Sequence, residues 1–459
     1  MLDLLERQQS LTINQWKIFA ACLLSTMLEF FDFFLIGYVL AFFIGEWHLT
    51  YGQSGAILFS SGVAAVPGGW FFGWLGDKIG RRNVFMVTVL IFSLGTGAMA
   101  LTPHGGWLYL VVLRFIVGLG VGGMLVVDLP LIAEFVPASK RGLISGLSTS
   151  MLPAGVILAG FLSAFLGPII GWRGLFLCGL APAAMAFVIR IWVPESPRWL
   201  MSQGRVEETR RSLAWALKID PDTIALPAAP PVQINTSWLE IFQYPRSLIA
   251  GLMIGLSQTG AAGMSLWTVV LFVMVLKVTP AEGAFLAIWL GFAGVVGRIV
   301  GSWLSETLGR RTGGALTLLA GAVCLSLAGY LHSAFIGTVS LYYVLLLLYN
   351  FFGPGCGFAI IFPYMTELWP GRLRASGFGL TYGTANLGKF IGPAGLAVIA
   401  GASNYVNPKA TLDALVPAFN YFAVWFVLAV VALLFLGIET RGRTIEELDG
   451  ALDKRMAAG

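Results

Sequence analysis

Long apolar runs separated by short polar connections fill most of the 459-residue chain. A helix needs about 20 mostly apolar residues to cross a bilayer. Twelve runs reach that length, at 17–44, 54–76, 84–102, 107–135, 142–168, 172–193, 246–276, 281–305, 312–333, 339–367, 374–402 and 414–437. The pattern therefore predicts an all-α membrane protein with 12 transmembrane helices, numbered here as spans one to twelve.

One connection is much longer than the others. Residues 194–245 are polar, and they show helical periodicity between Arg205 and Lys218. This segment divides the spans six and six. The expected domains are an N-terminal six-helix bundle over 1–193, a cytoplasmic loop with surface helices over 194–245, and a C-terminal six-helix bundle with a cytoplasmic tail over 246–459.

Basic residues are unevenly distributed between the two sets of loops. The loops that follow even-numbered spans, together with the C-terminal tail, hold most of them: Lys78, Arg81, Arg82, Lys140, Arg141, Arg198, Arg205, Arg210, Arg211, Lys218, Arg246, Arg310, Arg311, Arg372, Arg374, Arg441, Arg443, Lys454 and Arg455. The opposite loops hold only Arg173, Lys277 and Lys409. Because loops rich in Lys and Arg stay on the cytoplasmic side, we expect a multi-pass protein of the inner (plasma) membrane with both termini in the cytoplasm.

Composition excludes several other classes of protein. The chain is 57% hydrophobic and only 11% charged, whereas a soluble domain carries about 25% charged residues. The net charge of +5 is spread over loops, and no catalytic or metal-ligand cluster stands out. We expect no enzyme activity, no cofactor, no metal and no nucleic-acid partner, and a monomer whose partners are the lipid bilayer, a small-molecule substrate and protons.

Two loop motifs recur in the second half of the chain. Residues 73–82 after span two read GWLGDKIGRR, and residues 302–311 after span eight read SWLSETLGRR. A second set also repeats with identical spacing: Pro130, Glu134, Pro137 and Arg141 after span four, and Pro363, Glu367, Pro370 and Arg374 after span ten. Internal repeats of this kind build transporters, whose site lies near mid-membrane between the repeats.

The charged residues of these motifs form two symmetric sets. They are Asp77, Arg81, Arg82, Glu134 and Arg141 in the first half, and Glu306, Arg310, Arg311, Glu367 and Arg374 in the second. Anchoring by positive charge explains the arginines but neither the acids nor the repetition. We therefore predict a gating role, in which charge pairs near helix ends hold the halves together when the cytoplasmic side is closed.

The repeated loops resemble those of the major facilitator superfamily, and the resemblance extends over nearly the whole chain. Residues 194–200 (PESPRWL) and 439–443 (ETRGR) resemble the sugar porters. Residues 114–123 (RFIVGLGVGG), with Asp128 and the acidic residues of span one, are more similar to the proton symporters of aromatic acids and metabolites. The resemblance implies two pseudo-symmetric six-helix bundles and transport by alternating access.

Four charged residues inside the predicted spans are candidates for proton coupling. A charge at mid-membrane costs about 2.5–3.5 kcal/mol on insertion scales, which favours a function for it. Glu29 and Asp32 in span one are three residues apart, so they share a helix face and form a site able to take up and release a proton. Arg114 and Asp128 in span four are 14 residues apart, close to four turns, and therefore also project from one face. The resemblance implies a proton-handling role for Arg114.

Each of these residues also has a structural interpretation. One carboxylate of span one and Arg114 can form an ion pair that holds spans one and four together. Asp128 can instead be a partner for the cytoplasmic gate. Arg190 and Arg298 lie nearer to cytoplasmic helix ends, and we interpret them as snorkelling or loop-pairing residues.

Span eleven departs from its relatives in a way that concerns the substrate. Relatives often carry Tyr-x-x-x-Arg-x-Gly there, but this chain has Tyr382 followed by Asn386, with Lys389 about one turn later. An anion-binding role cannot pass to Asn386, and we expect Lys389 to supply the cation. The further candidates for substrate binding are amides and phenols within apolar spans: Asn386, Tyr382, Gln258, Tyr349 and Asn350. Their structural alternative is hydrogen bonding between helices.

These features lead to a ranked set of functions. The leading hypothesis is a proton-coupled symporter that imports a small organic anion, an aromatic or other carboxylate, by alternating access. A sugar or polyol symporter is the first alternative, but span seven has Gln258-Thr259 where sugar porters tend to show paired glutamines. A drug or metabolite exporter is the next, and it would not need Lys389. A non-transporting membrane sensor is an alternative from a different class of protein, and such sensors usually carry a long cytoplasmic extension.

Overall fold

The computed structural model of the chain describes residues 8, 10–135, 138–224, 238–370, 373–443 and 445–457. Within these ranges, the side chains of residues 77, 125–134 and 138–150, and of a few isolated positions, lie outside the description.

The helices of the first half follow the predicted spans. They are α1 (Ile13–Phe43), α2 (Tyr51–Ile79), α3 (Arg81–Met99), α4 (Trp107–Phe135), α5 (Ala138–Phe165), α6 (Gly167–Cys178), α7 (Ala181–Trp192), α8 (Pro197–Ser202) and α9 (Val206–Leu217), followed by a short 3₁₀ turn at Pro221–Thr223. Span six consists of α6 and α7. Helix α9 lies in the connecting loop, within the segment where periodicity predicts a helix.

The second half begins with a 3₁₀ turn at Trp238–Gln243 and repeats the pattern. Its helices are α10 (Pro245–Gly255), α11 (Gln258–Leu276), α12 (Pro280–Thr307), α13 (Arg310–Tyr330), α14 (Leu341–Asn350), α15 (Phe358–Glu367), α16 (Arg374–Ala385), α17 (Gly388–Ile399), α18 (Pro408–Val431) and α19 (Ile445–Ala457). A two-stranded hairpin of β1 (Phe335–Ile336) and β2 (Val339–Ser340) connects α13 to α14. The apolar pattern did not predict this hairpin.

The described helices confirm the all-α membrane fold. Among the described residues, ten helical segments are long and apolar enough to cross a membrane. Helix α5, whose shorter apolar part is Met151–Phe165, and the pair α16 and α17 occupy the two remaining predicted runs. All 12 predicted spans therefore correspond to helices.

Three spans of the second half are irregular near their middles. Span seven tightens between α10 and α11, where Ser257 N–H donates to the Ile254 carbonyl (3.2 Å) in a 3₁₀ pattern. Span eleven tightens in the same way between α16 and α17, where Lys389 N–H donates to the Asn386 carbonyl (3.0 Å). Span ten contains a π-helical turn at Phe351–Gly357. Such irregular turns inside long helices often mark functional positions.

The chain packs as two compact units. The first contains residues 1–35, 63–159 and 169–234, and the second contains 36–62, 160–168 and 235–459. The end of α1 and the start of α2 thus belong to the second unit.

Within the second unit, the end of α1 and the start of α2 pack closely on α11, α17 and α18. The Tyr51 hydroxyl bonds the Thr411 hydroxyl (2.6 Å), and the rings of Phe59 and Phe390 meet edge to face. A Cβ atom at Gly37 would lie 2.5 Å from the Leu266 carbonyl oxygen.

Glycine permits the closest contact between α17 and α11. A Cβ atom on Gly392 would overlap the carbonyl oxygen of Thr259, which is backbone and cannot swing aside. We expect Gly392→Ala to destabilise the protein by about 1–3 kcal/mol, because an added methyl group forces tightly packed helices apart. Thermal unfolding of the purified protein in detergent measures the effect.

Gly383 in α16 is the matched control for this prediction. A Cβ atom added there would have no neighbouring atom within 4 Å, so Gly383→Ala should unfold at or slightly above the wild-type temperature, since alanine favours helix. Equal unfolding temperatures for the two variants would contradict the packing argument.

Candidate functional site

An acid and a base are buried together inside the first unit. Asp32 in α1 is 1% exposed and Arg114 in α4 is 0% exposed. The Asp32 carboxylate lies within electrostatic range of the Arg114 guanidinium and the Thr96 hydroxyl of α3. Three neighbouring helices therefore supply the groups that surround this carboxylate.

The Arg114 guanidinium is fixed by the backbone of α1. Its Nη2 donates to the Phe33 carbonyl (3.0 Å), and its Nη1 approaches the Asp32 carbonyl (3.5 Å). The guanidinium also lies 5.7 Å from the centroid of the Phe33 ring. Spans one and four are thus connected through one buried arginine.

Glu29 lies one turn before Asp32 and is fully buried. Gly155 of α5 lets span five approach α1 closely beside Met27 and Phe31, because a Cβ there would lie 2.5 Å from the Met27 carbonyl oxygen and 2.6 Å from the Phe31 nitrogen. The fourth proton-coupling candidate, Asp128, lies in α4, and its side chain is outside the described residues.

The second unit brings the tightened turns of spans seven and eleven together. A Cβ on Gly388 would lie 2.7 Å from the Thr259 nitrogen. Thr259 is one residue past Gln258, and Gly388 is two residues past Asn386 and one before Lys389. The contact therefore brings together the two backbone segments that carry Gln258, Asn386 and Lys389.

One atom of each side-chain amide in these two segments is buried without a hydrogen bond to any described residue. Among the described residues, neither the Gln258 Nε2 nor the Asn386 Oδ1 has a hydrogen-bond partner, although both are buried atoms. Lys389 is 6% exposed. Buried polar atoms without partners are uncommon in folded proteins and often belong to functional sites.

The remaining substrate candidates differ in their surroundings. Tyr382 stacks on Phe378 with centroids 5.2 Å apart. Tyr349 is buried with its hydroxyl unbonded among the described residues, and its ring packs edge to face on Phe426. Asn350 donates to the Leu346 carbonyl of its own helix (3.0 Å), which favours the structural interpretation for that residue.

The interpretation of Arg298 as a snorkelling residue is wrong. Arg298 is only 7% exposed, whereas a snorkelling side chain leaves the protein interior. Its guanidinium lies within electrostatic range of the Tyr382 phenol instead. Arg190, interpreted in the same way, is exposed.

Part of the predicted gating set is assembled inside the second unit. Arg310 Nε lies 2.9 Å from Glu367 Oε2, and Arg310 Nη2 lies 3.9 Å from Glu306 Oε1. Glu367 also accepts a hydrogen bond from the Thr440 hydroxyl and interacts electrostatically with Arg374. In the first half, the side chains of Asp77, Glu134 and Arg141 lie outside the described residues, and Arg81 is partly buried.

The second arginine of each motif contacts the end of a span in its own unit. Arg82 donates to the carbonyl of Arg190 near the end of α7. Arg311 donates through Nε to the Leu433 carbonyl (3.0 Å) near the end of span twelve. A cation at a helix C-terminus satisfies free carbonyls and is favoured by the helix dipole.

Each repeated loop has one further glutamate that the sequence did not assign to the gating set, and the loop with this glutamate and the second arginine is called a helix corner here. Glu195 accepts from the Arg82 backbone N–H (3.1 Å) at the start of α3. Glu439 accepts from the backbone N–H groups of Arg310 (3.0 Å) and Arg311 (3.2 Å) at the start of α13. A carboxylate at a helix N-terminus accepts from the free N–H groups of the first turn. Glu195 lies in the motif PESPRWL and Glu439 in the motif ETRGR, so these motifs were the sequence signal for the two caps.

Glycine makes room for both glutamates. Gly80 and Gly309 precede α3 and α13 with φ of 95° and 88°, a region that L side chains rarely adopt. At both positions a Cβ would collide with the carboxylate of the capping glutamate. The repeat in sequence is therefore also a repeat in local geometry.

These observations define the class of the protein. Membrane-length helices, a duplicated helix corner and buried charges inside apolar bundles together describe a polytopic membrane transporter. A profile of the family described as "Sugar (and other) transporter" matches residues 17–452, and the chain belongs to this family of the major facilitator superfamily.

Relatives cover almost the whole chain. The chain is 28% identical over 458 residues to the niacin transporter NiaP of Acinetobacter baylyi, covering 97% of this chain and 100% of the relative. It is 26% identical over 431 residues to the cis,cis-muconate transport protein of the same organism, covering 92% and 95%. A solved structure of the xylose transporter XylE from E. coli, in a partially occluded inward-open conformation, superposes with a TM-score of 0.71 at 19% identity, covering 94% and 100%.

The comparisons confirm the coarser predictions. The fold is that of the major facilitator superfamily, and the chain is a multi-pass transporter of small molecules and not an enzyme.

The capping glutamates allow a stability prediction. We expect Glu439→Ala to lower the free energy of unfolding by about 0.5–2 kcal/mol, because the first N–H groups of α13 lose their acceptor. Thermal unfolding in detergent measures this loss.

Glu208 is the matched control for the capping prediction. It forms an exposed ion pair with Arg205 three residues away, and exposed pairs contribute little to stability. Glu208→Ala should therefore leave the unfolding temperature almost unchanged, and a Glu439→Ala variant as stable as Glu208→Ala would rule out the cap.

Proposed function

We propose that the protein is a proton-coupled symporter that imports a small organic anion, an aromatic or other carboxylate. Asp32 carries the proton, together with Glu29, and Lys389 pairs with the carboxylate of the substrate. The observation that carries the proposal is the burial of Asp32 against Arg114, at a point where three helices of the first unit meet.

The buried pair suits proton coupling for a physical reason. A carboxylate in apolar surroundings is stabilised by a nearby cation, and protonation removes that attraction. The Arg114 guanidinium also donates to the Phe33 carbonyl (3.0 Å), an acceptor whose own charge does not change when Asp32 is protonated. Protonation of Asp32 therefore changes the charge between α1 and α4 without removing the arginine from the interior.

The argument for an anionic substrate rests on Lys389. This cation is 6% exposed in α17, beside the polar turns of spans seven and eleven. A buried cation is favoured by an anion in contact with it. Two similar proteins are named for niacin and cis,cis-muconate, and both compounds carry carboxylates.

A sugar or polyol symporter is the second candidate, because the family description includes sugar transporters. A neutral sugar could bond the amides of Gln258 and Asn386, but unlike a carboxylate it would bring no negative charge to Lys389. A drug or metabolite exporter is the third candidate.

The proposal includes a topology and a cycle. Both termini lie in the cytoplasm of the plasma membrane, since the basic loops and the long connection 194–245 share that side. The bundles 1–193 and 246–459 alternate access around the site, and the charge sets of the repeated loops close the cytoplasmic side. Each positive charge moved inward gains about 2.3 kcal/mol per 100 mV of membrane potential.

Neutralising Asp32 separates uptake from exchange. We expect Asp32→Asn to abolish uphill uptake of a carboxylate substrate in proteoliposomes with an imposed proton gradient, because an amide cannot carry the proton. Counterflow exchange, which needs no net proton movement, should persist.

Asp413 is the matched control for proton coupling, since it is exposed at the start of α18. Asp413→Asn should accumulate substrate like the wild type. Full uphill uptake by Asp32→Asn would remove Asp32 from the proposed role.

A binding screen tests the substrate class. Thermal shifts of the purified protein against aromatic acids, aliphatic carboxylates and sugars should show stabilisation by acids, since a ligand at 100 times its Kd adds about 2.7 kcal/mol. We expect Lys389→Ala to reduce this stabilisation strongly. Exposed Lys409 provides the control, and Lys409→Ala should respond like the wild type.

Stabilisation by sugars alone would overturn the proposal that the substrate is an organic anion, and it would favour the sugar symporter. No stabilisation by any acid, with intact folding, would also count against the proposal.

A further inference from the structure

Arg298 occupies an unexpected depth in α12. It stands nine residues before Thr307 and 18 after Pro280, which corresponds to about 13 Å and 27 Å along the helix axis. The side chain is nevertheless 7% exposed. The charge is therefore held inside the second unit and does not reach a helix end.

The neighbouring helix face explains why the side chain points inward. Gly294, Gly297 and Gly301 follow one stripe of α12, and Arg298 lies beside that stripe. A Cβ on Gly301 would lie 2.5 Å from the Cys356 carbonyl oxygen in the π-helical turn of span ten. Backbone contact along the stripe brings Arg298 into the space among spans eight, ten and eleven.

The guanidinium has no anionic partner in the part of the chain that the structure describes. None of the ion pairs found among those residues includes Arg298. Its electrostatic neighbour there is the Tyr382 phenol of α16. A buried charge is normally paired, so this arrangement favours an anion that comes from outside the chain.

The surroundings suit a planar carboxylate. Tyr382 stacks on Phe378 (5.2 Å, 17°) and meets the ring of Phe362 edge to face (5.8 Å). An arginine presents a planar fork to a carboxylate, and a phenol can donate a further hydrogen bond. Aromatic rings beside such a fork can pack against an unsaturated or aromatic group.

The depth of this position differs from that of Lys389. Tyr382 is eight residues from the start of α16, about 12 Å along the helix, which matches the depth of Arg298 from Thr307. Lys389 follows Tyr382 by seven residues, so it lies about 10 Å further along span eleven. Thr307 and Arg374, the helix ends from which these two depths are counted, both lie beside basic loops.

We propose that Arg298 and Tyr382 form a second carboxylate-binding position, nearer than Lys389 to the cytoplasmic ends of spans eight and eleven. This position rests on the proposed function, because it receives the same anion. It holds the carboxylate at Arg298 and the flat part of the substrate against Phe362 and Phe378.

Titration of the purified full-length protein tests the position. The probes are nicotinate, benzoate and cis,cis-muconate, with nicotinamide and benzamide as uncharged counterparts. In the Lys389→Ala background, carboxylate binding should be weakened but measurable. Adding Arg298→Gln should weaken the remaining binding about tenfold or more, because a charge-assisted pair is lost, and should not affect the amides.

Further variants separate binding from folding. Arg298→Lys keeps the charge without the fork and should bind better than Arg298→Gln, and Tyr382→Phe should lose less than either. Exposed Arg190 supplies the control, so Arg190→Gln should bind like its parent. Unfolding temperatures measured without ligand identify variants whose folding is impaired. If Arg298→Gln is one of them, carboxylate binding by Arg298→Lys is compared with binding by its parent instead.

The outcomes distinguish the two proposals. If the wild type binds none of the carboxylates, the proposed function fails. If the wild type binds them but Lys389→Ala alone abolishes binding, or if adding Arg298→Gln changes nothing, only the second position is overturned.

Discussion

A charge in the apolar interior of a membrane protein has to be compensated, and the packing of this chain depends on how its few buried charges meet that requirement. In the first unit the compensation is internal, because Arg114 faces Asp32 and binds the Phe33 carbonyl. The contact joins α1 and α4, so the ionisation state of one carboxylate acts directly on the contact between two spans. In the second unit Arg298 has no described carboxylate beside it, and its compensation is left to a ligand.

Small residues decide where the polar groups of the second unit can meet. Gly388 and Gly392 let α17 approach the backbone of Thr259, and this approach brings the turn that carries Gln258 against the turn that carries Asn386. Both spans tighten into 3₁₀ turns at this level, and among the described residues Gln258 Nε2 and Asn386 Oδ1 are buried there without a hydrogen-bond partner. Close backbone packing and the irregular turns are thus two parts of one arrangement, since only a helix without a side chain at the contact can approach so closely.

The sequence predicted the features that depend on local pattern. Hydropathy located all 12 spans, and the repeated loops indicated the two related halves. Burial of Asp32 and Arg114 followed from their positions within apolar runs. The irregular turns could not be predicted, because Leu256 and Leu387 fit a regular apolar helix as well as a 3₁₀ turn. Arg298 was misinterpreted because distance to a helix end says nothing about which helix face packs, and that face is set by glycines that contact span ten.

The capping glutamates show why the repeated loops need more than their own charges. Glu195 and Glu439 bind the starts of α3 and α13, while Arg82 and Arg311 bind the ends of spans six and twelve. Each corner therefore joins a helix N-terminus and a helix C-terminus through oppositely charged side chains, which both dipoles favour. The Arg310–Glu367 pair is only partly exposed, with side chains 20% and 21% accessible. It is attached to its corner, because Glu439 accepts from the Arg310 N–H and the Thr440 hydroxyl donates to Glu367. The helix ends that a corner joins therefore set the position of its charge pair, and the capping glutamate, the arginine and the glycine that build such a corner recur in both halves of the chain.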